Sequence, residues 1–273
     1  MSETYEAWIG KTAVREDIVS ARINSEFRAT LSPFLFTPQN ANHAPPGLHW
    51  CLAVAALDTD QLGPDGAEAK GVFLPPVPLP RRMWAGGSIE SFRPLVVGDK
   101  VVRTSTVTDV KSREGKSGAL CLVSVTHDIT TAGELAIRER HDIVFREASR
   151  IQATRQEKSA HPQGDLVWQV EASPILLFRF SAITFNGHRI HYDLNHATRT
   201  EGYAGLLVHG PMQAALLLNQ LSVLRGRVPT LFSYRCTAPL IAGSTFQVSS
   251  RNDGTGVILD AHGTVTIEAK AHP

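Results

Sequence analysis

The 273-residue sequence has no apolar run approaching the ~18 residues that a membrane-spanning helix needs. Its first residues, MSETYEAWIGK, lack a basic flank and an apolar segment, so no export signal is expected and a cytoplasmic location is. Charge of one sign is missing too. The 27 Lys and Arg stand against 26 Asp and Glu, which leaves no field to gather nucleic acid or a membrane surface. Cysteine is scarce: Cys51, Cys121 and Cys236 lie far apart among apolar neighbours. Reduced, buried thiols are expected rather than a disulfide, a metal site or a nucleophile. There is no Gly-x-Gly-x-x-Gly, no Walker loop and no Gly-x-Ser-x-Gly elbow, so dehydrogenase, kinase and serine hydrolase chemistry lack their usual frameworks.

What is present is enough apolar material, 42% of residues, for one large domain or two ordinary ones. Ser20 can cap a helix whose apolar positions Ile23, Phe27 and Leu31 recur every four residues, up to Pro33. Phe73 to Gly87, FLPPVPLPRRMWAGG, is rich in proline and predicts a stiff surface track ending at Arg81 and Arg82. Strands are expected over 88–92, 100–110, 119–129 and 138–147, with a charged hairpin at 112–118. Residues 148–164 are polar and unpatterned, which suggests a linker between a unit over 1–150 and another over 165–273. The second unit predicts a strand over 166–171, a short helix started by Ser173-Pro174, and a longer one from Met212 to a stop at Gly226. Strands over 230–237, 245–250 and 257–267 close it, the last two joined at Asn252-Asp253-Gly254. Phe92 to Asp99 matches Thr237 to Ser244 at a constant offset of 145, with strands before and after in the same order. That argues for two copies of one sheet-wrapped-on-helix unit, an α+β fold.

Reactive side chains crowd into one place. Asn186, His188, His191, Tyr192, Asp193 and His196 fall within eleven positions, and His209-Gly210-Pro211 then opens the long helix. Pro211 suits a first helical turn, so Gly210 sits where backbone N–H groups are free and the helix dipole is positive. Such a place suits an oxyanion or carbonyl oxygen. The spacing of His188, His191 and His196, broken by Gly187 and a cap at Asp193, does not put them on one helical face as metal ligands. His191 alone reads either as a base or as a core histidine held by backbone.

This stretch resembles the hydratase motif of the MaoC-like hot dog dehydratases, the (R)-specific enoyl-thioester hydratases. Asn186-Gly187-His188-Arg189-Ile190-His191-Tyr192-Asp193 occupies the motif, and Val208-His209-Gly210 its downstream His-Gly pair. The resemblance implies a double hot dog fold and a CoA thioester substrate. It assigns His191 as the catalytic histidine, Gly210 as the N–H donor to the thioester oxygen, and Asn186 to the position where the family has an aspartate. His188, Arg189, Tyr192 and His209 are expected near the substrate, with Arg81 and Arg82 facing its phosphates or solvent. No metal or cofactor is implied. The first half, from Gly71 to Gly87 and at the Lys-Ser-Arg-Glu-Gly-Lys-Ser-Gly hairpin, resembles dehydratases of mesaconyl-, itaconyl- and 3-hydroxyacyl-thioesters. Thioester hydrolysis and non-catalytic thioester binding are the alternatives. A homodimer is left open, since the internal pair can suffice.

Overall fold

A computed structural model describes residues 5–115, 118–147 and 164–272. Most of the segment expected to link two units, 148–163, lies outside the described residues. Ten strands form one antiparallel sheet: β1 Thr12–Ile18, β2 Arg81–Ser91, β3 Lys100–Gly115, β4 Gly118–Thr131, β5 Glu134–Arg146, β6 Leu166–Glu171, β7 Leu231–Cys236, β8 Thr245–Ser250, β9 Thr255–Leu259 and β10 Val265–His272. Their order is β1-β3-β4-β5-β2-β7-β10-β9-β8-β6. Counted outward from the central β2–β7 pair, each half runs second, fifth, fourth, third, first strand. The two halves therefore share one topology, and β3 and β8 begin 145 residues apart, the offset of the sequence repeat.

Three α-helices stand among the described residues, α1 Ala21–Leu31, α2 Pro174–Ile183 and α3 Gly210–Arg225; α3 packs on β7 to β10, and α1 and α2 pack on each other. α1 is capped by the Ser20 hydroxyl, which accepts from Ile23 N, and buries Ile23, Phe27 and Leu31 as its period predicts. α2 begins the same way, with Ser173 accepting from Leu176 N. α3 is the centre of the core: every residue from Met212 to Ser222 is buried, and Gly226 ends it in the left-handed region at φ 68°. Asn219 accepts from Phe36 N and donates to the carbonyls of Pro46 and Ala215, so first-half loops are tied to the second-half helix. The first half has no counterpart to α3 among its described residues.

The structure corrects three expectations. Residues 73–87 are not a surface track throughout: once Pro80 is passed every residue can join a ladder, and Arg81–Gly87 belong to β2 at the middle of the sheet. The strand expected over 257–267 is two, because Asp260 accepts from His262 N and Thr264 N and folds a turn closed by Gly263 at φ 83°. β1 was not foreseen. It is an edge strand of mostly exposed residues, Thr-Ala-Val-Arg-Glu-Asp-Ile, whose charges keep the edge from pairing further and mask its alternation.

Candidate active site

The catalytic-looking segment is launched by the end of α2. Asn186 N–H donates back to Ser181 O at 2.8 Å and Phe185 N–H to Ala182 O at 3.3 Å, the paired bonds of a Schellman cap. The left-handed position, usually glycine, is Phe185 at φ 49°. A side chain there costs ~1–2 kcal/mol, and the strain falls on the residue just before Asn186. Asn186 Oδ1 accepts from His188 N at 2.9 Å, which fixes its amide so that Nδ2–H points away as the free donor. The Tyr192 hydroxyl donates to Gly187 O at 3.0 Å. A single 3-10 turn over Arg189–His191 follows, and Asp193 joins it to a π-helical turn over His196–Thr200 by accepting from His196 N and pairing with Arg189.

His191 is 7% exposed and its Nδ1 lies 2.8 Å from Leu207 O. A carbonyl only accepts, so Nδ1 carries the proton and Nε2 presents a lone pair. Burial pushes its pKa down to about 4, against a smaller upward effect of the Leu207 bond. His191 is therefore neutral near pH 7, a base with its lone pair free. His209 stacks on it with ring centroids 3.6 Å apart and is itself wholly enclosed, held by Ser181 Oγ at 2.8 Å. Burial, then the charges that would sit on His191 and His188, hold His209 well below the usual histidine range. The His188 ring stands edge-on to His191 at 5.7 Å, and burial with the proximity of His191 pushes it down to about 3.

Gly210 opens α3, and among the described residues its N–H meets no acceptor. A Cβ on it would overlap the six-membered ring of Trp84, with Cζ3 at 2.9 Å. Glycine is required because β2 lays an indole across the helix start.

The first half holds this site through a loop that sequence reading left featureless. Asp65 O accepts from Arg189 N at 2.8 Å and Pro64 O from Arg189 Nη1 at 3.0 Å. The Asp65 carboxylate takes Arg82 through Nε and Nη2 at 3.1 Å, and lies 3.8 Å from His188 Nε2. Gly66 and Gly187 meet backbone to backbone: a Cβ on Gly187 would lie 2.6 Å from Gly66 O. Arg81, 6% exposed, faces Glu201 at 3.7 Å, and Glu201 also faces His196 at 3.7 Å. Both arginines of the predicted patch thus face carboxylates: Arg82 meets Asp65, which holds His188 and Arg189 within the motif, and Arg81 faces Glu201 beyond it, with its Nη1 buried and without a partner. Asp65, Gly66, Trp84, Ser181 and Leu207 are the site residues that sequence reasoning missed. Of the cysteines, Cys51 and Cys121 are buried and Cys236 is half-buried, and all three thiols are raised by burial. Among the described residues no group of three or more His, Cys, Asp or Glu is arranged to hold a metal ion. No helix among them is long and apolar enough to cross a membrane.

Comparison with known proteins bears on the family and the fold. The family model for hydroxyacyl-thioester dehydratase type 2 matches residues 47–242. Mesaconyl-C(4)-CoA hydratase of Chloroflexus aurantiacus is 37% identical over 96% of this chain and 94% of its own. A solved MaoC-like dehydratase superposes with TM-score 0.72 over 99% of this chain and 100% of that one, at 17% identity. A Mycobacterium tuberculosis protein described as a double hot dog does so with TM-score 0.57 over 96% and 95%, at 14% identity. Those two likenesses give the fold, a double hot dog of α+β class. With a family model spanning most of its length and a full-length relative at that identity, the chain belongs to the type 2 hydroxyacyl-thioester dehydratases of the MaoC-like hydratase family, and it is a hydro-lyase of acyl thioesters.

Proposed function

We propose that the substrate is a short branched or dicarboxylic 2-enoyl-CoA of the mesaconyl or itaconyl type, and that His191, Asn186 and Gly210 carry the chemistry. The observation that supports this most is the fixed tautomer of His191. Nδ1 is spent on Leu207 O, leaving Nε2 as the base, with an unused N–H of Gly210 at the start of α3. The name of the Chloroflexus relative supports the acyl group.

In the forward direction Asn186 Nδ2–H holds a water, and His191 Nε2 takes one of its protons. The water oxygen bonds to the β-carbon while the double-bond electrons move to the thioester oxygen. That charge is met by Gly210 N–H and the positive end of α3. The α-carbon then takes its proton from His191, which returns to neutral. Asn186 has no proton to shuttle, so one base does both transfers on one face of the substrate, a syn addition. A pKa near 4 suits the second transfer, because an imidazolium so held gives its proton up readily.

Tyr192 and Arg189, the more exposed of the motif's side chains, meet the substrate as it enters, and His188 lines the site beside them. Arg81, Arg82 and His209 act through the loops and rings they hold. The first half supports binding and the second carries the reaction. The protein works in the cytoplasm without a cofactor, as a single chain or a homodimer. A panel of enoyl-CoA esters followed by enoyl absorbance tests the reading. Loss of absorbance fastest with mesaconyl- or itaconyl-CoA is expected. Thiol release from saturated acyl-CoA without hydration would make the protein a thioesterase instead.

A further inference from the structure

In the mechanism above His191 carries a positive charge between its two proton transfers, and it does so in a closed place. Its ring is 7% exposed, and Leu207 O holds Nδ1–H. Among the described residues no carboxylate pairs with it: burial and the Leu207 bond are what act on its proton. Asp65, the carboxylate that the first half brings nearby, is taken by Arg82 and lies 3.8 Å from His188. Asn186, at the position where the family has an aspartate, adds no charge. A buried cation without a counter-charge is costly, and that cost is part of the barrier to the first transfer.

His209 meets this ring face to face, with centroids 3.6 Å apart and planes 18° apart. It stands at the N-cap of α3, directly before Gly210. It is 0% exposed, with the Phe180 ring 5.0 Å from its own and Ser181 Oγ 2.8 Å from its Nε2. Its Nδ1 is buried with no partner. A proton there would be an N–H without an acceptor, so Nε2 carries the proton, donates to Ser181 Oγ, and the ring stays neutral. Ser181 also ties the two sides of the site together, because its carbonyl accepts from Asn186 N. A cation held within ~6 Å of an aromatic face is attracted to it, and most strongly where water is excluded.

We propose that His209 is a positioning residue whose neutral ring is the face on which the His191 imidazolium rests between taking the water's proton and giving it to the α-carbon. The inference rests on His191 as the base and deepens that reading. With both rings neutral the stack adds only packing, so its electrostatic effect falls on the charged step alone. Phe180 and Ser181, both on α2, keep the ring in place.

His209→Phe keeps the aromatic face without the nitrogens, and His209→Leu fills similar space without a face. Hydration is followed on the enoyl-CoA that the full chain turns over fastest, with thermal melts of each variant. His209→Leu should lower kcat about 10- to 30-fold with KM within about 2-fold, the size of a desolvated cation–π contact. His209→Phe should lower kcat no more than about 3-fold. Without substrate, NMR titration of the His191 ring should show its midpoint, about 4 in the unaltered protein, about one pH unit lower with leucine and little moved with phenylalanine. Equal kcat in the two variants overturns the proposal, and so does a loss carried by KM or an unmoved His191 midpoint with leucine. Should phenylalanine overfill the place and fail to melt cooperatively, the leucine variant decides, because an unchanged kcat or an unmoved midpoint in it overturns the proposal. Failure of the base reading would show separately, as His191→Gln that keeps its turnover.

Discussion

Gly66→Ala puts the tie between the two halves under direct load. Gly66 stands at φ +79°, and a Cβ there would fall about 1 Å inside the ~3.3 Å at which carbon and carbonyl oxygen touch, against Gly187 O. It would also press on Arg189 Cγ at 3.2 Å. The backbone conformation alone costs ~1–2 kcal/mol with a side chain. Relief of the overlap must come from moving 187–189, since carbonyl and loop are both backbone. A further ~1 kcal/mol for that shift gives a total near 2–3 kcal/mol, or a melting point lower by about 4–12 °C in a chain of this size. The catalytic cost should be larger in proportion. A displacement of ~1 Å beneath His188 and His191 is enough for a loss of about 10²-fold in kcat/KM. Gly133→Ala is the control, because Gly133 has the same φ of +79° with nothing within 4 Å of an added Cβ. It carries the conformational cost without the collision. Thermal melts and enoyl-CoA hydration on both variants decide the matter. If Gly66→Ala loses no more activity than Gly133→Ala, the loop does not position the site.

His191→Gln should lower hydration by about 10²–10⁴-fold with an unchanged melting profile, since it removes the base; turnover above a tenth of the original would reassign the role. Asn186→Leu should be far worse than Asn186→Asp, because leucine cannot hold water and leaves His188 N–H without its acceptor; equal activity of Asn186→Leu and the original on neutral and dicarboxylic enoyl-CoAs would remove Asn186 from the site. The rate should stay level as pH falls until His191 titrates near 4, and a fall centred near pH 6.5 in folded protein would contradict its burial as a neutral base. Stability behaves differently: His188, His191 and His209 resist protonation when folded, whereas unfolded histidines protonate near ~6.5. The unfolded chain then binds more protons, so the unfolding free energy should fall from about pH 6.5 downward, by up to ~1.4 kcal/mol per pH unit for each group, and thermal melts at a series of pH values should show the melting temperature falling with it.

Much of this molecule is legible in its sequence where the signal is local. Ser20 and Ser173 cap their helices, Gly226 stops α3, and β6 runs over the residues its alternation predicts, because each depends on neighbours within a turn. His191 and Gly210 stand out through the resemblance of their motifs, since residue type and spacing alone leave His191 as either a base or a core histidine. The turn at Asp260–Gly263 was hidden by a run that is apolar on both sides of it, and β1 by its charged edge position. Asp65 and Gly66 left no mark at all. Their contacts to 187–189 join residues more than a hundred positions apart and pass mainly through backbone atoms, which any side chain can supply. Trp84 gave no sign of its role either, since what matters is which glycine it covers.

The motif lies wholly in the second half, yet the first half fixes its geometry. Gly210 has no room for a side chain because the Trp84 ring, carried by β2, fills the place a Cβ would take. The His188 loop keeps its place because Asp65 binds Arg189 through its carbonyl and Arg82 through its carboxylate. A half lacking a central helix is therefore not merely a degenerate copy. Where α3's counterpart would fill space with leucine, the first half sets His49, Glu139, His141 and Arg103, polar groups that an apolar helix could not satisfy. The same sheet thus beds α3 on one side of the β2–β7 junction and has the polar His49, Glu139, His141 and Arg103 set among apolar residues on the other.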